Sequence, residues 1–420
     1  MVISKRGLDL IKSFEGCRLS AYRDAVGVLT IGYGHTRGVT EGMVITQERA
    51  DALLLVDIDR YERNVMSWNY IYNWTQNEFD ALVSFAFNVG SIDQLTGLGK
   101  RDKSVIADKM LMYCHAGGNT LAGLEKKALV VFCADNGVVA QGVSQCGSEV
   151  TGKVAVALAE GRSTANTMAH QTGCNVIPAD VGILDFSGHP GVRNLRVRNG
   201  TGDISREKAM TEAECLTAIV KGAALTEERI REGTDLMAVG EMGIGNTTTA
   251  TALSAAFLGL NPDEITGRGA GLSSTGLELK KTVIHSALKR IDPDEKNPVR
   301  LMAELGGLDI AAMCGAFLAA AANRIPVIID GAISATAAYC ALRLCPDAGS
   351  AMLASHVSAE PLGKLLLEKL NLRAPLDAGM HLGEGTGALM LMPLLDTALE
   401  VYRSGQNFDR LGIEAYQPLT

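Results

Sequence analysis

The chain of 420 residues has no excess of positive charge, no long apolar run and no paired-cysteine motif, and each absence removes a class of function. Its 39 Lys and Arg stand against 47 Asp and Glu, a net charge of −8, which leaves no electrostatic footprint for nucleic acid or an anionic membrane. The stretch "MVISKRGLDLIKSFEG" has no apolar h-region. The longest apolar stretch, near 311–322, is too short for a bilayer and is followed by Asn323, Arg324 and Pro326. Neither a secretion signal nor a membrane span is expected, and a cytoplasmic location is. The nine cysteines are scattered singly with no CxxC, which predicts thiols in a reducing compartment rather than a disulfide framework or a metal site.

The residues that are present fall into two unlike parts. Residues 1–127 carry 15 basic and 15 acidic side chains, so the whole acidic excess lies in 128–420, whereas both tryptophans, Trp68 and Trp74, lie in the first part. The parts meet in "GLEKKALVVFCADNG", where a solvated helix end runs straight into a β-branched apolar strand and an Asn-Gly turn. No Pro, Gly or Ser linker separates them, which excludes a simple flexible tandem.

In the first part, Leu8, Ile11 and Phe14 form the apolar stripe of a helix that ends near Glu15, and "DAVGVLTIGYGHT" reads as a glycine-turned hairpin. Glu15 and Asp24 then either face each other across a cleft, as the acid and the ionised carboxylate of a glycosidase do, or are a helix-end charge and a turn residue. The order Glu15, Asp24, Thr30 and "IGYGHT" resembles the catalytic motif of the phage lysozyme (endolysin) family. "TQNEFDALVSFAFNVG" at 75–90 resembles its central helix, and "MLMYCHAGGNTLAGLEKK" at 110–127 its late helix-loop-helix. The resemblance implies a small, mainly helical domain that cleaves peptidoglycan, with Glu15 as general acid and Asp24 and Thr30 positioning water. It also implies that the closing C-terminal edge of that domain is truncated at 127.

In 128–420, buried-strand runs ("ALVVFCADNG", 174–183, 236–243, 325–332, 351–356) alternate with helical stretches at 148–170, 206–232, 247–259, 275–290, 300–323 and 333–344. This alternation predicts an α/β domain with a mostly parallel sheet covered by helices on both faces, and ligands beyond the carboxyl ends of its strands. "GEMGIGNTTTA" (240–250) is either a tight turn or a phosphate cradle at a helix N-terminus; it lacks the Gly-Lys-Ser/Thr ending of a P-loop. "CADNGVVAQG" lacks the dinucleotide fingerprint. "GRGAGLSSTGLELK" (267–280) offers a second glycine loop and Lys280. "HLGEGTGALMLM" (381–392) sets Glu384 among glycines at the mouth of a helix, either as a general base made basic by apolar surroundings or as a helix N-terminal carboxylate.

"ADNGV", "GVSQCGSEVT", "GEMGIGNTTTA", "GRGAGL", "ELGGLDIAAMCG", "DGAISATAA", "SHVSAE" and "LGEGTGALMLMPLLD" occur in the order that identifies nicotinate-nucleotide:dimethylbenzimidazole phosphoribosyltransferases. That resemblance implies transfer of phosphoribose from nicotinate mononucleotide to 5,6-dimethylbenzimidazole, in cobalamin lower-ligand synthesis. By the same resemblance Glu384 is the general base and Glu241 a second acidic residue. Gly243, Asn246, Thr247, Lys280 and Ser355 lie around phosphate and ribose, and Cys146, Met242 and Leu382 around the flat base. No metal or further cofactor is implied, a homodimer is, and the usual N-terminal helical segment is missing before 128. The alternatives are a muramidase carrying a passenger and a gene chimera with neither half active.

Overall fold

The computed structural model describes residues 1–23, 28–97, 99–103, 106 and 124–404. The chain divides into two compact units, Met1–Cys114 with Tyr402–Thr420, and His115–Val401.

The first unit opens with the helix Lys5–Glu15, whose N-cap Ser4 accepts from the Gly7 amide; Gly16, with a φ of +65°, ends it. Two antiparallel strands follow, β1 (Arg18–Arg23) and β2 (Leu29–Gly32). The hairpin therefore begins six residues before the "DAVGV" stretch expected to open it. "RLSAYR" is the outgoing strand, held also by backbone bonds from Ala21 to Met43 and from Ile45 to Leu19 that no local pattern announces. The long helix Gln47–Ser67 and the helix Gln76–Val89 supply most of the core. The second starts at a capping box, Thr75 with Glu78, where the expected central helix begins. Ile11, Ile58, Phe79 and Val83 are buried, and Tyr72 stacks on Trp74 with ring centroids 4.5 Å apart. The expected helix-loop-helix at 110–127 lies largely outside the described residues.

The second unit is a three-layer α/β/α sandwich. Its sheet contains β3 (Lys127–Ala134), β4 (Asn175–Gly182), β5 (Arg193–Asn194), β6 (Leu236–Met242), β7 (Val327–Ile329) and β8 (Met352–Ala354), in the order β5-β4-β3-β6-β7-β8. Every neighbouring pair is parallel. β3 is buried on both faces, as its unbroken apolar run predicts. Val130 and Phe132 pack into one cluster with the helices Glu212–Arg231, Asn246–Leu258, Leu308–Ala322 and Ala332–Leu344. Leu129 and Val131 pack into another with Glu149–Ala159, Thr164–Thr172 and Thr386–Ser404.

Two expected helices are each split. The stretch 148–170 breaks at Gly161, whose φ is +74°, and restarts at a capping box of Ser163 with Asn166. The stretch 300–323 breaks at Gly306 and Gly307 into Pro298–Leu305 and Leu308–Ala322. The helix expected from 206 starts only after Thr211, which caps it with Glu214. Pro361–Lys369 is a further helix that the periodicity did not single out.

Candidate functional site

Strand order decides where a ligand can enter. From β3 the chain steps outward to β4 and β5, then returns to the other side of β3 and steps through β6, β7 and β8. The loops leaving β3 and β6 therefore diverge at their carboxyl ends, and a crevice opens there. The structure has a cavity of about 310 Å³ at this point, lined by the loops after β3, β6, β7 and β8 together with 268–272 and 380–386.

The floor is the end of β6. Glu241, paired in register with Phe132 of β3, is 9% exposed, and burial together with the nearby Asp309 carboxylate pushes it up to about 8. Asn246 donates its amide to Glu241 and, at 3.0 Å, to Asp309 Oδ2. Burial holds Asp309 at about 6. One amide group thus ties together two carboxyls that burial raises, Glu241 the further of the two. Asn246 is also the first residue of the helix Asn246–Leu258, whose N-cap, Gly245, contributes no side-chain cap, so that helix N-terminus faces the cavity with its positive end.

Thr247 lines the cavity from the same turn, and its hydroxyl accepts from Lys280 Nζ at 2.8 Å. Lys280 is 0% exposed on the helix Ser274–Leu288; its ammonium also donates to the Gly267 carbonyl at 3.0 Å. Burial lowers it to about 8, against a partial restoring effect of Glu360. A buried ammonium behind a threonine, next to a helix N-terminus, gives this end of the cavity a positive potential of the kind that can receive an anion such as phosphate. Glu384, which also lines the cavity, is half-buried; its Oε2 is fully buried and has no hydrogen-bond partner among the described residues. Burial, then the negative Asp330, raises it above the ordinary carboxylate range. An unpartnered basic oxygen of this kind can take a proton from a ligand. The remaining wall, with Val143, Val150, Met242, Ile244, Met380 and Leu382, is largely apolar and suits a flat ring.

Of the residues expected at the site, Glu384, Glu241, Gly243, Asn246, Thr247, Cys146, Met242 and Leu382 line the cavity. Lys280 and Ser355 lie one layer behind it. Ser355 donates to the Asp330 carbonyl at 3.0 Å and meets His356 Nδ1 at 2.9 Å. Sequence reasoning assigned no role to Asp330, His356, Arg268, Glu360 or Asp309, although the first four line the cavity and the last adjoins Asn246. Asp330 and His356 lie in motifs that were recognised, "DGAISATAA" and "SHVSAE", so a carboxylate directly after a strand was the available signal. No group of His, Cys, Asp and Glu able to hold a metal exists among the described residues. The eight described cysteines are free thiols, Cys146 exposed at the cavity and five others buried.

In the first unit Glu15 ends its helix half-buried, and burial raises its carboxyl. Thr30, on β2, is buried with its hydroxyl donating to the Val28 carbonyl at 3.0 Å. Asp24 lies outside the described residues. No helix among the described residues is long and apolar enough to cross a membrane.

Comparison with known proteins joins these two sites to two families. A phosphoribosyltransferase family model matches residues 105–413, and a phage lysozyme model residues 12–129. The nicotinate-nucleotide–dimethylbenzimidazole phosphoribosyltransferase of Acetivibrio thermocellus is 40% identical over 301 residues, 72% of this chain and 86% of its own. That of Chlorobaculum tepidum is 37% identical over 327 residues, 77% of this chain and 91% of its own. A crystal structure of the Thermus thermophilus enzyme is 36% identical and superposes with a TM-score of 0.67, covering 72% of this chain and 89% of that one. With a matched region that spans most of the chain and contains the whole cavity, the protein belongs to the phosphoribosyltransferase family, with a lysozyme-like part joined ahead of it.

Proposed function

We propose that the α/β part, taken from about residue 128, transfers phosphoribose from nicotinate mononucleotide to a benzimidazole such as 5,6-dimethylbenzimidazole, giving α-ribazole 5′-phosphate and nicotinate. The observation that carries this reading is the convergence, at the β3/β6 crevice, of a phosphate-binding helix end backed by Lys280 with a desolvated, unpartnered Glu384. A phosphate bound by the turn 243–247 and Lys280 anchors the nucleotide. The benzimidazole nitrogen then attacks the ribose C1′, the glycosidic bond to nicotinate breaks with its electron pair returning to the pyridine nitrogen, and Glu384 accepts the proton that the benzimidazole sheds. The test is chromatographic detection of nicotinate and α-ribazole phosphate from the purified chain with both substrates. Absence of both products from well-folded protein would refute the reading.

Glu241 has a different duty. Burial, with the nearby Asp309, pushes it toward the protonated form, so it serves as a hydrogen-bonding wall and not as a second base. Glu241→Gln, which preserves that neutral shape, is expected to leave kcat at pH 7 within about tenfold of wild type. A loss of about a thousandfold would assign the proton transfer to Glu241 instead.

A second reading applies to the first part: hydrolysis of peptidoglycan with Glu15 as general acid. It rests on the lysozyme match and on the burial that keeps the Glu15 carboxyl protonated at a higher pH than an exposed glutamate. Cell-wall zymography is expected to show clearing by the chain and none by its Glu15→Gln variant. Clearing by both would remove Glu15 from the mechanism.

A further inference from the structure

Asp330 follows β7 and is 4% exposed. Its carboxylate accepts three backbone N–H groups from one turn of chain, Gly385 at 3.1 Å on Oδ2, and Gly387 at 2.7 Å and Ala388 at 3.1 Å on Oδ1. These amides open the helix Thr386–Ser404, where no preceding helical carbonyl can receive them. Glu384 comes immediately before them. Its φ of +58° lies between +82° at Gly383 and +78° at Gly385, so three successive residues are left-handed and the middle one carries a side chain. A left-handed glutamate is disfavoured and persists only where its surroundings over-determine it.

Two close approaches supply part of that determination. A Cβ at Gly240 of β6 would lie 2.6 Å from the Gly385 nitrogen and 2.8 Å from the Glu384 carbonyl carbon, so the loop rests on the backbone of the sheet. A Cβ at Gly387 would lie 2.0 Å from His356 Nδ1 and 2.8 Å from Asp330 Oδ1, so His356 and Asp330 close over the start of the helix. Packing places the loop, and the Asp330 carboxylate is what its N–H groups are pinned to.

We propose that Asp330 is a positioning residue for the transfer reaction: by gathering the amides of Gly385, Gly387 and Ala388 it fixes the 383–385 loop and aims the Glu384 carboxylate into the cavity. This rests on the transferase reading of the site. The charged or titratable groups that act on Asp330, or on which it acts, are His356, Glu384 and Glu241. Burial raises Asp330, while His356 and the three N–H groups pull it back toward ionisation; in its ionised form Asp330 adds to the burial that raises Glu384.

The variant Asp330→Asn keeps the shape but has one acceptor oxygen and no charge. Its kcat is expected to fall at least about tenfold with KM for nicotinate mononucleotide changed by less than about twofold. The acid limb of its kcat profile is expected to move to lower pH, because Glu384 loses a negative neighbour. Unchanged kcat, or a reduced kcat with an unmoved acid limb, overturns the proposal; the second result would mark a merely structural residue. A variant that does not fold leaves a direct measurement on the wild-type chain. Amide hydrogen exchange at Gly385, Gly387 and Ala388 is expected to be slowed at least about a hundredfold relative to an open helix end, and free exchange at these positions overturns the proposal. Exchange needs no turnover, so this result is independent of whether the transferase reading itself holds.

Discussion

Glu384→Gln is expected to lower turnover with nicotinate mononucleotide and dimethylbenzimidazole by about 10²–10⁴, the range for loss of a general base, with KM for the nucleotide nearly unchanged. Three features of the wild-type side chain make the effect large. Its Oε2 is buried and has no partner among the described residues to share it with. Its surroundings raise it above an ordinary carboxylate, so it holds a proton more strongly once it has taken one. Its backbone conformation is disfavoured for glutamate and is kept all the same. The amide isostere fills the same space without a basic oxygen, so folding and phosphate binding should persist while proton acceptance is lost.

The same assignment fixes the sign of the pH dependence. Glu384 must be ionised to act, and its pKa is raised, so wild-type kcat should fall as pH drops through a value above the usual carboxylate range. In the glutamine variant that acid limb should be gone, and the residual rate should be flat over the same window. A limb that survives in the variant would belong to another group, with Asp309, held at about 6, the first to examine by its own Asn substitution.

Much of the α/β part was legible because its strands are buried on both faces. Residues such as Leu129, Val130, Val131 and Phe132 satisfy either face of the sheet, so the strand announces itself as an unbroken β-branched run. Helix ends were less legible where the terminating signal is one glycine or one capping serine inside a long apolar pattern, as at Gly161 with Ser163. The β1 strand "RLSAYR" is mostly exposed, lacks a clean alternation, and is fixed as a strand by pairing with β2 on one side and by the returning chain near Met43 to Ile45. Loops that carry glycine next to a charged residue gave Glu384 and the 240–250 turn directly. Asp330 carried a weaker mark, a carboxylate before a glycine directly after a strand, and His356 and Asp309 carried none. Asp330 and His356 matter because the strand order sets β7 and β8 beside β6, and Asp309 because its helix packs against Asn246; both are long-range properties no short window contains. Lys280 shows the intermediate case, visible as a lysine after a glycine loop but with no sign in the sequence that it would be fully buried.

That burial leads to the second large effect. Lys280→Met is expected to reduce kcat/KM for nicotinate mononucleotide by about 10²–10³, since in the proposed reaction the buried ammonium behind Thr247 supplies the positive charge that holds the phosphate dianion in a low-dielectric site. The apo protein should respond in the opposite direction. Burial lowers the wild-type ammonium from 10.5 to about 8, so between these values the unfolded chain binds more protons than the folded one, and stability rises with pH across that window. Below about 8 the folded state carries the whole penalty of the buried charge, on the order of 3 kcal/mol for a shift of this size. Replacing the lysine with methionine removes that penalty, so the variant should be as stable as wild type or more so at pH 7, and should lose the alkaline rise. In the wild-type chain, affinity for the nucleotide should weaken as pH passes upward through about 8, while the empty protein becomes more stable. Calorimetric binding and denaturant unfolding, measured on both chains at neutral pH and again between the folded and unfolded values, separate the two effects. A variant that loses stability and affinity together would mean that Lys280 holds up the loop at Gly267 rather than waiting for a phosphate. Opposite movements identify it as a charge kept buried, at a cost to the fold, for its ligand.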